Sequence, residues 1–357
     1  MSGLTSNSGA LQVKAQTKAG RVVSAQILSP RSPLTSRVFL GRRATEAALL
    51  AGQLFSLCPV AQSLAAQACV EAAQGFLPDE TQRRRRLVRL LCERLGEMLR
   101  ASVLDWPSSA PPDAASLAAL RLAVKDLRVL ALESDGGQLA EVRRAAEILG
   151  LFGEAGPLAQ QLKAADADVE SALQPRPVDT LTPHDDAQVA EMMAAAPDDF
   201  ARAPALPGRI VETGASARQG VAAPAGLAQR LACRFLDMRG AFDQLEALLH
   251  GGETPGEMLA TQSANGWGFA AVESARGRLF HQVRLDGEGK IACYAIVAPT
   301  EWNFHPDGPF MRQILGAEIG VGAAAQDRLA RLALVFDPCV PVQIEIASLA
   351  DESLAYA

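Results

Sequence analysis

The sequence predicts a predominantly helical α+β fold, in which small antiparallel β segments lie at the periphery of a helical bundle. The chain is rich in Ala, Leu and Arg, which lose little conformational freedom in a helix, and only 5% of its residues are aromatic. Apolar residues recur at helical spacing over several stretches whose lengths are typical of a bundle. Two other regions alternate between apolar and polar residues, which is typical of strands.

The first predicted element is a hairpin in residues 11–28, where two alternating runs flank a turn at 18–20. Helical spacing then predicts helices over 44–57, 61–75, 80–103, 137–152, 224–250, 308–316 and 322–335. After Gly266 the pattern changes to alternating runs around a glycine-containing turn at 286–289, which predicts a small antiparallel sheet.

We expect a single domain over residues 1–357, interrupted by two loop insertions. A chain of 357 residues with 49% hydrophobic residues can bury a substantial core. The segment PSSAPPDA at 107–114 and the segment 174–207 are rich in Pro, Asp and Ala and lack a clear period. This composition predicts loops in both places.

The charge balance argues against nucleic acid or a membrane as a partner. The net charge is -6, so no global basic field would attract polyanions. The basic run 83–86 begins an amphipathic helix, and we interpret it as a solvated or partner-facing helix end. No segment resembles a signal peptide or an uninterrupted apolar membrane span, which predicts a cytoplasmic protein.

Six cysteines are scattered along the chain without the spacing of a disulfide framework: Cys58, Cys69, Cys92, Cys233, Cys293 and Cys339. In a reducing compartment they would be thiols. Considered alone, most of them are best interpreted as small buried core residues.

Separated segments, in the family's order, resemble the large subunit of nickel-iron hydrogenases. Gly41-Arg42 and the later Cys58 match a glycine-arginine segment and the start of the first C-x-x-C motif. Residues 273–304 follow the pattern E-x-P-R-G, strand, turn, strand, P-T-x-W-N, through Glu273, Arg276, Gly277, Pro299, Thr300, Trp302 and Asn303. FDPC at 336–339 follows the C-terminal D-P-C-x-x-C-x-x-H up to its first cysteine. The ordered matches imply the large-subunit fold.

Several motif positions differ from the family: Ala61 and Val342 replace cysteines, Ala65 and Glu345 replace histidines, Ala275 replaces a proline, and Ser36 replaces a glutamate that relays protons. In the family, four thiolates hold nickel and an iron with cyanide and carbon monoxide ligands, and the second cysteine of each pair bridges the metals. Two thiolates cannot build that site. The resemblance therefore implies that this chain binds no nickel and is not an enzyme.

The resemblance also assigns the candidate site residues. Cys58 and Cys339 match terminal nickel ligands of the family, and as soft donors they could hold one iron if the fold brings them together. Arg276 and Thr300 match residues that donate hydrogen bonds to the cyanide ligands, and Pro299 belongs to the same motif. A guanidinium offers several fixed donors to an anionic ligand. The expected cargo is therefore iron with two cyanides and one carbon monoxide.

Each of these residues also has a simpler structural interpretation. An isolated cysteine is usually a core residue, and an isolated arginine is usually exposed or salt-bridged. His281 and His305 lie near matched segments, but a lone histidine is more often structural than a ligand. Cys69, Cys92, Cys233 and Cys293 match no ligand of the family and are interpreted as core residues.

The whole pattern is similar to the hydrogenase assembly proteins of the HupK/HoxV type. The resemblance implies a non-catalytic scaffold that receives the Fe(CN)2CO unit from hydrogenase maturation (Hyp-type) proteins and delivers it to the hydrogenase large subunit precursor. Two thiolates permit release of a metal that four would retain. Glu345 in place of the terminal histidine also predicts that the C-terminal tail is kept. The alternative is a metal-free interaction module with the same fold.

Overall fold

The computed structural model describes residues 9–29, 33–107, 111–133, 136–167, 177–221 and 226–349. The α-helices in this part of the chain are α1 (Ala47–Leu54), α2 (Pro59–Ala73), α3 (Glu80–Arg100), α4 (Ala114–Glu133), α5 (Leu139–Ile148), α6 (Pro157–Ala167), α7 (Asp186–Ala195), α8 (Pro197–Arg202), α9 (Ala215–Arg218), α10 (Leu227–Leu249), α11 (Pro299–Asn303), α12 (Pro309–Ile314) and α13 (Gly322–Val335). The strands are β1 (Leu11–Lys18), β2 (Arg21–Leu28), β3 (Asp179–Thr180), β4 (Val211–Glu212), β5 (Leu259–Ala264), β6 (Trp267–Ser274), β7 (Gly277–Leu285), β8 (Ile291–Val297) and β9 (Val342–Ser348).

The predicted N-terminal hairpin is confirmed. Strands β1 and β2 pair antiparallel, and both turn residues, Ala19 and Gly20, have the positive φ that a tight hairpin turn of this kind requires. Strand β9 adds to the other edge of β1 in parallel, so the sheet has the order β2-β1-β9. The sequence did not predict β9, whose pairing joins the two ends of the described chain.

The predicted meander is also confirmed, as an antiparallel sheet of order β5-β6-β7-β8. Helix α2 packs so closely on one face that a β-carbon at Gly268 would lie 2.0 Å from the carbonyl oxygen of Cys69. Helices α7 and α8 cover the other face, where Phe200 joins Phe269 and Phe280 in a second apolar cluster. The strands β6 and β7 are consequently buried on both faces.

The prediction of a loop over 174–207 is wrong for most of that segment. Residues 174–176 lie outside the described residues, but α7 and α8 form within the remainder. Val189, Met193 and Phe200 supply the apolar side chains that bury these helices against the sheet. Their spacing is obscured by the surrounding Asp, Ala and Pro, so packing on the sheet decides the structure. In the other predicted loop, 111–113 is irregular, α4 begins at Ala114, and 108–110 is not described.

The predicted helices correspond to α1, α2, α3, α5, α10, α12 and α13, whereas α4 and α6 were not predicted. Apolar residues lie on several faces of α4, where Leu132 is 84% exposed, so its period is weak. The basic run at the start of α3 is only partly solvated, because Arg86 makes two 2.7 Å bonds to the Glu71 carboxylate. No helix in the described ranges is long and apolar enough to cross a membrane.

Candidate metal centre

Cys58 lies at the N-cap of α2, in the short connection from α1. Pro59 occupies the first helical position, where its missing N–H costs nothing. The carboxylate of Glu93 on α3 accepts hydrogen bonds from the backbone N–H groups of Val60 at 2.5 Å and Ala61 at 2.8 Å. A side chain of α3 therefore caps α2 and holds the Cys58 connection against the bundle, where the cysteine is only 7% exposed.

Cys339 lies in the turn between α13 and β9 and is half-buried. Its backbone N–H donates to the Thr300 hydroxyl oxygen at 3.0 Å, and that hydroxyl donates to the Cys339 sulfur at 3.1 Å. Thr300 is held in turn because Pro299 starts the buried helix α11. Two residues before the cysteine, Asp337 has a φ of 54°, a left-handed conformation that Asp tolerates better than most residues. The P-T-x-W-N motif thus orients the second cysteine.

Arg276 joins the two cysteine loops. Its guanidinium is buried and donates through Nη1 to the carbonyl of Leu57 at 3.2 Å and through Nη2 to Glu97 Oε2 at 3.2 Å. The Nε atom lies 4.0 Å from Asp337 Oδ1 and has no hydrogen-bond partner among the described residues. Arg276 therefore contacts the residue before Cys58 and lies beside the loop that carries Cys339.

Gly277 explains why a glycine must follow this arginine. It has a φ of +129°, and a β-carbon there would lie 2.5 Å from Thr213 Oγ1. The Arg278 backbone N–H donates to the same hydroxyl at 2.8 Å, and Asn303 accepts from the Thr213 N–H at 3.0 Å. Asn303 also donates to the Phe336 carbonyl at 3.3 Å. The matched motifs therefore meet around Thr213, which the sequence did not single out.

The site combines the buried Cys58 thiol and the half-buried Cys339 thiol with a guanidinium. Burial raises the pKa of the Cys58 thiol to about 12, although the charge of Arg276 opposes the shift. Burial alone would lower the pKa of Arg276, but Asp337, the two cysteines and Glu97 outweigh it, so that pKa is raised. Burial also raises the pKa of Glu93 to about 7, against its bonds to the α2 N–H groups. A thiol such as Cys58 keeps its proton at neutral pH, and binding a metal would release it.

The fold brings the predicted site residues together. Cys58 interacts electrostatically with both Cys339 and Arg276, although the two cysteines come from nearly opposite ends of the chain. Across the described residues, no group of three or more His, Cys, Asp and Glu side chains could hold a metal ion. A structural zinc site uses four protein ligands, so the two thiols do not fit a bare ion of that type.

The positions where the family carries further cysteine or histidine ligands offer neither a thiol nor an imidazole. Ala61 and Ala65 are fully buried in α2, and Val342 is half-buried at the start of β9. Glu345 is exposed in β9, and one of its carboxylate oxygens lies 3.5 Å from Lys14 Nζ. Ser36 is buried and lines a cavity of about 470 Å³ together with Thr300.

The remaining cysteines and histidines do not complete the site. Cys69, Cys92 and Cys233 are buried and Cys293 is half-buried. His281 is fully buried between α2 and the sheet, and the Nδ1 atom of His305 accepts from the Asp307 backbone N–H at 3.1 Å. The sequence did not single out Glu93 and Glu97, which contact the site from α3, and it included Asp337 only as part of the D-P-C match, without a role of its own.

No family model matches the chain. The chain is 39% identical to the hydrogenase expression/formation protein HupK of Rhizobium leguminosarum bv. viciae, over 88% of this chain and 90% of that protein. It is 33% identical to HupK of Bradyrhizobium diazoefficiens, over 92% and 94% of the two chains. It is also 30% identical to the hydrogenase expression/formation protein HoxV of Cupriavidus necator, over 91% and 94%.

Solved structures with the same fold are hydrogenase large subunits. The Ni-Fe-Se hydrogenase from D. vulgaris Hildenborough superposes with a TM-score of 0.63 and 17% identity, covering 91% of this chain and 95% of that one. An NAD+-reducing [NiFe]-hydrogenase superposes with a TM-score of 0.58 and 14% identity, covering 90% and 93%. At these identities the likeness concerns the fold alone, and it confirms the predicted architecture.

Proposed function

The chain belongs to the family of hydrogenase expression/formation proteins that includes HupK and HoxV, and from this premise we propose that it is a non-catalytic carrier of the Fe(CN)2CO unit. Its relatives give it a role in hydrogenase maturation. The chain covers nine tenths or more of each of these relatives, so the family assignment applies to the protein as a whole. Our proposal goes beyond this maturation role by naming the cargo and the residues that hold it.

The observation that carries the proposal is that Cys58, Cys339 and Arg276 lie together. An iron atom with two cyanides and one carbon monoxide already has three ligands, so two thiolates are enough to hold it. Among the described residues no third protein ligand joins the two cysteines, which argues against a bare ion but is compatible with a cargo that brings three ligands of its own. Few protein ligands also favour transfer to an acceptor that offers more of them.

Arg276 is suited to the cyanide ligands. Its Nε–H is a buried donor without a partner among the described residues, and leaving such a donor unpaired is unfavourable. An anionic cyanide that accepted from Nε would remove that penalty through a charge-assisted bond. Thr300 donates to the Cys339 sulfur in the structure, so its first role in our proposal is to orient that ligand. Donation to a cyanide would require the hydroxyl to turn away from the sulfur.

The absence of bridging thiols supports a protein without nickel and without hydrogenase activity. Ala61 and Val342 offer only carbon at the two bridging positions. We therefore expect purified protein to contain no stoichiometric nickel and to take up no hydrogen, even when the maturation proteins are co-expressed. Stoichiometric nickel in the purified protein would contradict this proposal.

The C-terminal geometry supports retention of the tail. Glu345 lies within β9, and the chain continues in register with β1 until Ser348 pairs with Thr17. A peptide bond inside a paired strand is a poor protease substrate, because cleavage requires local unfolding. Residues 350–357 lie outside the described residues. Intact mass after co-expression with an active maturation system should include the full tail, and a major species ending near Glu345 would contradict the carrier role.

Infrared spectroscopy tests the proposal directly. Protein purified anaerobically from cells that make Hyp-type maturation proteins should show bands of metal-bound cyanide and carbon monoxide. Cys58→Ala and Cys339→Ala should each abolish these bands, whereas Cys92→Ala, which removes a buried thiol outside the site, should keep them. Bands that survive the loss of both Cys58 and Cys339 would place the cargo elsewhere.

A metal-free interaction module is the second candidate. The high pKa of Cys58 favours it, because a thiol that holds its proton strongly binds metal ions less well. This module should bind maturation proteins or the large subunit precursor equally well with or without its two cysteines. The module should also show no infrared bands of bound cyanide or carbon monoxide, whichever maturation proteins are co-expressed. The carrier, in contrast, should fail to transfer iron to the precursor when either cysteine is replaced.

A further inference from the structure

A continuous row of buried polar side chains runs from the Cys58 sulfur into the core between α2 and the sheet. Gln62 Nε2 lies 3.9 Å from the Cys58 sulfur, and Gln62 Oε1 lies 2.8 Å from His281 Nε2. His281 Nδ1 lies 2.8 Å from the Tyr294 hydroxyl, which lies 3.9 Å from the sulfur of Cys69. All five residues are at most 7% exposed. We call Gln62, His281 and Tyr294 the polar row.

The orientation of Gln62 fixes the direction of every bond in the polar row. Gln62 presents its amide NH2 to the Cys58 sulfur in the structure, and a metal-bound thiolate, which has no proton to donate, requires the same orientation. Its Oε1 then accepts from His281 Nε2–H, and a neutral imidazole with that proton has an acceptor at Nδ1. The Tyr294 hydroxyl is therefore the donor to Nδ1.

The burial of the polar row excludes a simpler role. It ends at Cys69, which is fully buried and whose thiol also donates to the Ala66 carbonyl at 3.3 Å. The row therefore has no exposed end and is not a path for protons to solvent. Three polar side chains inside an apolar core are costly unless each is satisfied, and an apolar set would fill the same space. What the row does provide is a defined orientation of the Gln62 amide.

We propose that Gln62 is a positioning residue for the iron centre, which donates a hydrogen bond to the Cys58 thiolate while His281 and Tyr294 hold its amide in that orientation. This inference rests on the carrier function proposed above. The bond is long for a neutral thiol and should shorten when the sulfur is ionised, because charge-assisted hydrogen bonds are shorter.

Donation to the sulfur has a consequence for the cargo. A hydrogen bond withdraws electron density from a thiolate, so the sulfur donates less to iron and the iron donates less to carbon monoxide. The carbon–oxygen stretch of the bound unit is therefore raised, and the iron–sulfur bond is weakened. A weaker bond to Cys58 favours release, which is what a carrier needs.

The role of Gln62 can be tested by comparing infrared spectra of the iron-loaded wild type with those of Gln62→Leu, Tyr294→Phe and Gln67→Leu. Gln62→Leu removes the donor, so the carbon monoxide band should move to lower wavenumber and transfer to the precursor should slow. Tyr294→Phe is nearly isosteric and keeps the ring stacked on Phe39, and it should shift the band the same way by less. Gln67→Leu is the matched control, because Gln67 lies on α2 but donates to Glu71 outside the row.

A second readout does not depend on the cargo. In ¹⁵N-labelled protein the imidazole shifts should place the His281 proton on Nε2 in wild type, and Tyr294→Phe should weaken that preference. A proton on Nδ1 in wild type would overturn the inference. So would a loaded protein whose bands are the same in Gln62→Leu and Gln67→Leu.

The two proposals fail in different ways. Absence of bands in wild type would contradict the carrier function, and the nitrogen shifts would then decide whether the row directs Gln62 toward Cys58. If circular dichroism shows that Gln62→Leu does not fold, the infrared spectrum of Tyr294→Phe tests the inference instead. That variant removes only one hydroxyl group and should fold.

Discussion

Arg218 and Arg276 both lie at the C-terminal end of β6, and they differ in how many of their N–H groups donate hydrogen bonds within the protein. Arg218 makes five hydrogen bonds, two to Asp237, one to Glu273 and two to the backbone carbonyls of residues 274 and 275. Arg276 makes two hydrogen bonds within the described ranges. A guanidinium has five N–H donors, so Arg218 is fully used within the protein, whereas Arg276 has a buried Nε donor without a partner among the described residues. The difference separates an arginine with a structural role from the one that we propose as a binding residue.

An unpartnered Nε alone does not make that distinction. Arg94 and Arg230 also have a buried Nε without a partner among the described residues. Arg230, however, makes two bonds to the Glu212 carboxylate at 2.6 and 2.9 Å, and Arg94 pairs with Asp237. Neither is joined to both cysteine loops. What distinguishes Arg276 is the unused donor beside two thiols.

Arg218 also holds the backbone segment that leads to Arg276. Arg218 fixes the two carbonyls that precede Arg276 in the chain. Although burial opposes ionisation of Asp237, Arg218 and Arg94 hold the pKa of that carboxyl below its ordinary value. A buried group of alternating charges therefore fixes the backbone from which Arg276 projects.

The largest expected effect is on stability, from Arg218→Leu. Removing this cation leaves Asp237 and Glu273 with less compensation in the interior, so we expect a loss of ~3–5 kcal/mol in the free energy of unfolding. Urea denaturation measures it. Arg202→Leu is the control, because Arg202 pairs with Asp199 on the surface and should cost at most ~0.5 kcal/mol. Equal losses of stability in Arg218→Leu and Arg202→Leu would show that Arg218 has no special structural role.

Gly277→Ala should cost about 2–3 kcal/mol, because the new β-carbon overlaps Thr213 Oγ1 and the backbone there has a positive φ. The same denaturation measurement applies. Gly287→Ala, at a position with nothing within 4 Å, should leave stability almost unchanged. A fully stable Gly277→Ala protein would mean that the close approach of the Thr213 loop does not position Arg276.

Arg276→Lys should separate binding from stability. Lysine keeps the charge but lacks the several N–H donors of a planar guanidinium. Because the bonds to Leu57 and Glu97 are lost, we expect the free energy of unfolding to fall by ~1–2 kcal/mol. The cyanide bands of loaded protein should shift and cargo retention should fall. Arg230→Lys should do the reverse, lowering stability while leaving the bands in place. Unshifted bands in Arg276→Lys would show that another group contacts the cyanides.

Thr300→Val should have the smallest effect on stability, about 1 kcal/mol, because it removes two hydrogen bonds to Cys339 and nearly preserves volume. Cys339 should then react faster with iodoacetamide, which mass spectrometry can follow residue by residue. Thr254→Val, at a half-buried threonine that bonds Glu80 and lies outside the site, should leave that rate unchanged. An unchanged rate in Thr300→Val would mean that the Thr300 hydroxyl does not orient Cys339.

The sequence by itself determined the helical α+β class, the N-terminal hairpin, the meander and the family resemblance, because periodicity and ordered motifs are local properties of the chain. It also singled out Cys58, Cys339, Arg276 and Thr300, which the fold places together. Only the tertiary structure decided the helices in 186–202, whose weak period is outweighed by burial against a sheet. It also decided the pairing of β9, because the short alternating run at 342–348 does not specify that its partner is β1.

The tertiary structure alone also decided which side chains surround the thiols. Glu93 and Glu97 come from α3, Asp337 from the turn after α13, and the His281 contact to Gln62 joins residues more than two hundred positions apart. No local pattern encodes such neighbours, because they depend on how whole helices and strands pack. The candidate ligands could therefore be named from the sequence, while the side chains that surround and orient them could be found only in the folded protein.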